Sequence, residues 1–145
     1  MDSKPLGLKT WFRMARFVHL SNCISNEHLA EHGLTVAQFE ALDVVRTRQP
    51  IAQNELAAAL TISVGGVSRM LAQLERQGLI AREQQWKHKY ISLTQAGEQK
   101  MQDIYPGQVE LQTSFFEEAL SPAEQQQLYE LITRVYASAR ERNTP

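Results

Sequence analysis

The densest run of chemically capable side chains lies between Gln53 and Lys89. From Ser63 to Arg76, Val67, Met70, Leu71 and Leu74 recur at helical spacing and so share one side. The opposite side holds Gly65, Gly66, Arg69, Gln73 and Arg76, with Ser68 on or beside it and Ser63 placed as the N-cap. A helix face of small residues, a hydroxyl, an amide and guanidinium groups suits phosphate oxygens and base edges, which are read by such donors and acceptors. Arg69 is the side chain best placed for a phosphate or a guanine edge; the alternative is a solvated surface arginine. Gly65 and Gly66 each cost about 1 kcal/mol relative to alanine inside a helix. Either the helix approaches a partner closely, or it begins after them.

The neighbouring segments extend the same chemistry. Gln53 opens a short helix, and the tip Glu83–Lys87 joins two strands. Trp86, Lys87 and Lys89 lie at or beside that tip. The Trp86 indole either packs on the base of its own hairpin or lies against a groove or backbone of nucleic acid.

Other patterns are weaker. His28, Glu31 and His32 match the H-x-x-E-H order of a class of zinc peptidase, but that enzyme needs a further acidic ligand and a cleft for which this chain has no room. A histidine pair four residues apart can hold a regulatory metal, yet no His or Cys follows His88, and no metal site is expected. Cys23 is expected to be a small core residue, with a redox switch as the alternative. Trp11, Met14, His19 and Phe39, with Phe17 and Tyr105, are candidates for an effector pocket; the plainer reading is core or dimer interface. There is no Gly-rich phosphate loop after a strand and no nucleophile motif, so neither an enzyme nor a cofactor is expected.

These residues need elements to hold them. Leu8, Trp11, Phe12, Ala15 and Val18 give a first helix from about Leu6 after Pro5, stopped by Gly33 with Leu34 as its hydrophobic contact. Thr35 with Gln38 forms a capping box for a second helix, whose buried stripe is Phe39, Leu42 and Val45. A third helix covers Gln53 to Leu60, with Thr61 and Ile62 as the turn, and the fourth ends at Gly78. Leu79–Arg82 and His88–Leu93 read as strands around the tip. A fifth helix runs from Thr94 to about Glu118, kinked at Pro106. Ser121 with Glu124 caps a sixth, with fraying expected from Ala139.

At 145 residues one domain is expected. The net charge of −1 is unevenly spread. Residues 44–90 hold seven basic residues against three acids, a local +4, and the remainder is −5. A basic middle is a localised electrostatic footprint for nucleic acid. No apolar run of membrane-spanning length or signal-peptide core occurs, and one cysteine excludes an intrachain disulfide, so a soluble cytoplasmic protein is expected. The fold class is mainly α with a small β-hairpin wing: a winged helix-turn-helix with N- and C-terminal dimerisation helices.

The chain resembles the MarR family of bacterial transcriptional regulators over essentially its whole length. The matching pieces are GLTVAQFEAL, NELAAAL, GGVSRMLAQLERQGLI, ISLTQAGE and LSPAEQQQLYELI, in that order. The resemblance implies a homodimer in which helices one, five and six of two chains interlock and each winged module reads half of a palindromic operator in double-stranded DNA. It further implies a repressor released by a small aromatic or anionic effector bound between the dimer helices and the reading lobe. Family members commonly carry an Asp-Arg pair in a longer wing; here Gln85, Trp86 and Lys87 stand near its place, and Lys87, His88 or Lys89 would substitute for the arginine. The expected layout is a reading lobe at 35–94 flanked by dimerisation helices at 6–33 and 95–142. The alternatives are a ligand-independent DNA binder and a winged-helix module that binds protein.

Overall fold

Caps and stops written in the sequence set most helix boundaries in the computed structural model of this chain, which describes residues 3–60 and 62–144 and, at position 64, the backbone alone. Helix α1, Leu6–Ala30, ends where Gly33 takes a φ of 72°, a left-handed conformation that costs glycine nothing. The Leu34 N–H then donates to the Leu29 carbonyl at 3.1 Å, and the Leu34 side chain is buried. Helix α2, Val36–Arg48, opens on the full capping box: the Gln38 N–H donates to the Thr35 hydroxyl at 3.2 Å, and the Thr35 N–H to the Gln38 carboxamide oxygen at 3.0 Å.

Strand β1, Ile51–Ala52, helix α3, Gln53–Ala59, and helix α4, Val64–Arg76, follow. The stop of α4 repeats that of α1: Gly78 has a φ of 77°, and the Leu79 N–H donates to the Leu74 carbonyl at 3.0 Å. Strands β2, Ile80–Gln85, and β3, His88–Leu93, form the hairpin, and β1 adds to the far side of β3 in an antiparallel sheet of order β1-β3-β2. Helices α5, Gln95–Glu117, and α6, Pro122–Arg142, complete the chain.

The structure departs from the sequence reading in four places. Strand β1 was not expected, since two residues carry no periodicity. Strand β2 runs to Gln85, not Arg82, because ladder bonds continue through polar residues to the Gln85–His88 pair. The tip therefore shrinks to Trp86 and Lys87. Helix α3 stops one residue early, at Ala59. Helix α6 stays helical to Arg142 where fraying was expected. Pro106 does not end α5, which runs on to Glu117 in line with the sequence reading.

Two compact units result, Met1–Gln108 and Val109–Pro145. The first has a core of Leu42, Val45, Leu56, Val67, Leu71, Leu74, Ile91, Met101 and Ile104, drawn from α2, α3, α4, β3 and the first half of α5. In the second, Ser121 and Glu124 form the other capping box, and α6 has no buried residue. Among the described residues no helix is long and apolar enough to cross a membrane.

One junction fixes where α5 begins. The Thr94 hydroxyl donates to the Gly78 carbonyl at 2.6 Å and accepts the Gly97 N–H at 3.1 Å. It thus ties the end of α4 to the start of α5. Gly97 is buried so close to β2 that a Cβ there would collide with the Leu79 carbonyl oxygen. Gly97→Ala is therefore expected to lower stability by about 1–3 kcal/mol in urea unfolding, because backbone must move. Gly7→Ala is the control: a Cβ at Gly7 meets nothing within 4 Å. It sits in the first turn of α1, so it should be neutral or stabilising by up to about 1 kcal/mol.

Candidate nucleic-acid interface

The reading of α4 as a two-faced helix holds at atomic detail. Val67, Met70, Leu71 and Leu74 are 0–8% exposed, while Ser63, Gly65, Ser68, Arg69, Gln73 and Arg76 are exposed. The Ser63 hydroxyl accepts the Gly66 N–H at 3.1 Å, so Ser63 is the cap. Because α4 begins at Val64, both glycines lie in its first turn and not in the connecting loop. Their reasons differ. A Cβ on Gly66 would come to 3.1 Å from the Ser63 hydroxyl, so the cap occupies that space. A Cβ on Gly65 would meet nothing within 4 Å, so no packing among the described residues explains that glycine. Its backbone faces solvent bare.

The basic residues separate into two kinds. Arg82 donates to the Glu75 carboxylate at 3.0 Å and locks β2 to α4. Arg46 lies 3.7 Å from the Glu98 carboxylate and over the Tyr105 ring at 5.5 Å. These two cations serve the fold. Arg69 and Arg76 on α4, and Lys87 and Lys89 on the wing, have no ion pair with any described residue. The hydrogen bond from Arg82 holds the Glu75 carboxyl below its ordinary range, and the charges of Arg82 and Lys89 act in the same direction.

The wing and α3 enclose a groove of about 410 Å³ lined by Gln53, Asn54, Ala57, Val67, Gln84, Lys87, His88 and Lys89. The structure thus brings three sequence candidates, Gln53, Lys87 and Lys89, to one place. The Gln53 carboxamide oxygen is buried there without a partner among the described residues. Asn54 and Gln84 were not anticipated. Asn54 follows Gln53 in the first turn of α3, and that polar pair at a helix start was the available signal.

Trp86 does not pack on the base of its hairpin: its side chain is 96% exposed. A two-residue turn puts the ring at the outermost point, and residues 83–89 offer it no other apolar side chain.

The remaining candidates lie elsewhere. Cys23 is exposed, not core, with its sulfur 3.8 Å from the His19 Nε2. It sits on a helix whose neighbouring side chains Val18 and Leu20 are themselves exposed. Trp11 is 62% exposed and meets Phe12 edge-on at 5.4 Å, and Met14 is half-buried. Phe39 belongs to the core, stacked on Tyr105 at 6.2 Å. The rings of His28 and His32 are 6.0 Å apart, and His28 Nδ1 lies 2.9 Å from the Gln108 carboxamide oxygen, which joins α1 to α5. Among the described residues, no three His, Cys, Asp or Glu side chains gather as metal ligands.

A short helix, a turn, a second helix with a bare polar face, and a β-hairpin together define a winged helix-turn-helix. The MarR family profile matches residues 32–89. An uncharacterised HTH-type transcriptional regulator of Bacillus cereus is 44% identical over 145 residues, spanning 100% of this chain and 99% of the relative. The S. aureus MepR–DNA complex superposes with a TM-score of 0.78 at 26% identity, covering 90% of this chain and 96% of that one. Sco3205 of Streptomyces coelicolor, a MarR family regulator in complex with DNA, gives 0.82 at 21% identity, over 95% and 92%. This chain belongs to the MarR family, whose members are transcriptional regulators and not enzymes.

The Glu75–Arg82 pair gives a test of how the wing is anchored. The Arg82 hydrogen bond holds the Glu75 carboxyl below the ordinary carboxylate range in the folded protein. Its contribution is therefore complete above that ordinary range and is lost as pH falls through the lowered one. Wild type should melt above Glu75→Gln near neutral pH, and the difference should vanish on acidification. A difference that does not change with pH would place the effect elsewhere.

Proposed function

We propose that this regulator works as a homodimer that reads a palindromic operator in double-stranded DNA and represses transcription until a small molecule releases it. The observation that carries the reading is the two-faced α4. Its apolar side is buried, so its polar side, with Arg69 and the bare backbone of Gly65, must face outward beside the wing cations. In this reading Arg69, Gln73, Ser68 and Gly65 meet base edges and phosphates. Gln53, Ser63, Lys87 and Lys89 hold the backbone on either side, and Gly66 lets the capped first turn come close. Trp86 stands on the same hairpin. The DNA complexes of MepR and Sco3205, with which this chain shares its fold, support it.

The lobe at 35–94 is the reader, and the helices at 6–33 and 95–142 are the dimer-forming parts. Exposed large apolar side chains on each support that division: Leu6, Trp11, Val18 and Leu20 on α1, and Leu131, Val135 and Tyr136 on α6. A monomer gains nothing from leaving such faces in water. The effector reading rests on the family and on the aromatic and cationic residues of α1, with Trp11, Met14, His19 and Phe39 as the residues to examine. Repression inside the cytoplasm follows from the same reading.

Sedimentation at micromolar concentration is expected to show two chains, with monomer only on strong dilution or unfolding; a well-folded monomer would contradict the dimer. On an operator duplex selected from a random pool, Arg69→Ala should lose about 1–3 kcal/mol of binding with its melting temperature nearly unchanged. Replacing Lys87 and Lys89 together with alanine should weaken binding to every duplex and flatten the salt slope by up to about 2 units. A loss confined to the operator would mean that the lysines read sequence.

A further inference from the structure

Trp86 is the residue that the fold itself does not explain. Its ring is 96% exposed. Its φ is 57°, the one positive value outside glycine among the described residues. That is the left-handed region, which residues with a bulky side chain rarely adopt and which two-residue hairpin turns usually fill with Gly or Asn. The position therefore carries two unfavourable features, backbone strain and exposed apolar surface, and the described residues leave the ring almost entirely uncovered. Strain of this kind persists where the surroundings over-determine it and tends to mark functional positions. The surroundings do so here. The ladder is paired up to Gln85 and His88, and the Gln84 side-chain amide donates to the Trp86 carbonyl at 2.9 Å. The indole is thus held out on a rigid ribbon.

The neighbours indicate what it meets. Lys87, His88 and Lys89 follow it directly, and all three line the groove shared with α3. A flat apolar ring beside cations, on the proposed DNA face, fits a groove bordered by phosphates. The lysines take the phosphates and the ring enters between them. A lysine lacks the planar fork with which arginine meets paired acceptors, so the lysines suit single phosphates. An apolar ring gains instead where base steps open readily. Pyrimidine–purine steps unstack and kink most easily, and apolar wedges exploit them.

We propose that Trp86 is an apolar wedge that enters the minor groove and selects operators with a deformable pyrimidine–purine step under the wing, while Lys87 and Lys89 clamp the flanking phosphates. This deepens the DNA reading above and rests on it.

The chain has two tryptophans, so Trp11→Phe leaves Trp86 as the sole indole reporter in the full-length protein. Anisotropy of a labelled selected duplex reports binding, while indole emission and iodide quenching report the ring. Saturating duplex is expected to quench the emission and shield the ring from iodide. Trp86→Gly relieves the positive φ, so it should melt at or above the wild-type temperature. It should nonetheless bind the selected duplex about tenfold more weakly and no longer prefer TA or CA over GG at the wing position. Trp86→Phe should keep most of the preference. Binding with the ring still open to iodide, or an unchanged step preference in Trp86→Gly, would overturn the wedge and assign the ring to another partner, such as a protein. No anisotropy change on any duplex would remove the DNA reading itself, and the wedge with it.

Discussion

The burial of one side of α4 is the constraint on which the rest depends. Val67, Met70, Leu71 and Leu74 reach the core shared with α2, α3 and β3. Burying side chains of this size stabilises by roughly 1.5–3 kcal/mol each. Gly65 and Gly66 cost about 1 kcal/mol each against alanine. Burial therefore outweighs the poor helix propensity of the first turn, and the helix forms from Val64 despite its glycines. Once that side is committed, rotation about the helix axis is no longer free. Ser68, Arg69 and Gln73 can only face outward.

The wing is placed by a second set of ties that hang from the first. Arg82 reaches from β2 back to Glu75 on α4. Thr94 bonds to Gly78 at the end of α4 and caps α5. These bonds tie the hairpin, α4 and the start of α5 together on either side of Leu79. Two of the seven cations in the basic middle are held by carboxylates, Arg82 by Glu75 and Arg46 by Glu98. Of the other five, Arg48 ends α2, and Arg69, Arg76, Lys87 and Lys89 lie on α4 and the wing.

Features set by a few adjacent residues were legible in the sequence. Both capping boxes, the glycine stops at Gly33 and Gly78, and the faces of α4 follow from local hydrogen bonding and helical spacing, and the structure shows all of them. What escaped depends on distant partners or on backbone alone. Strand β1 exists only because Ile51 pairs with Ile91. The length of β2 is set by main-chain bonds that polar side chains do not reveal. The stacking of Phe39 on Tyr105 joins α2 to α5 across 66 residues of sequence, and no local pattern announces it. Cys23 looked like core because a small apolar residue in a helix usually is; its exposure follows from the face of α1 it occupies. Gln108 meets His28 across eighty residues of sequence, a contact no local pattern announces.

The proposed DNA reading sets Arg69 and the polar face of α4 against base edges, which a helix reaches in the major groove. Methylation protection at guanine N7 tests it most directly, since that atom is exposed only there. On a duplex selected from a random pool, the account predicts protected guanines in two half-sites about 10–10.5 base pairs apart, or a multiple of that. In Arg69→Ala at saturating protein, protection should be lost at specific guanines while the backbone stays shielded from cleavage. Backbone shielding with no guanine protection in the wild-type complex would place α4 outside the groove and contradict the account.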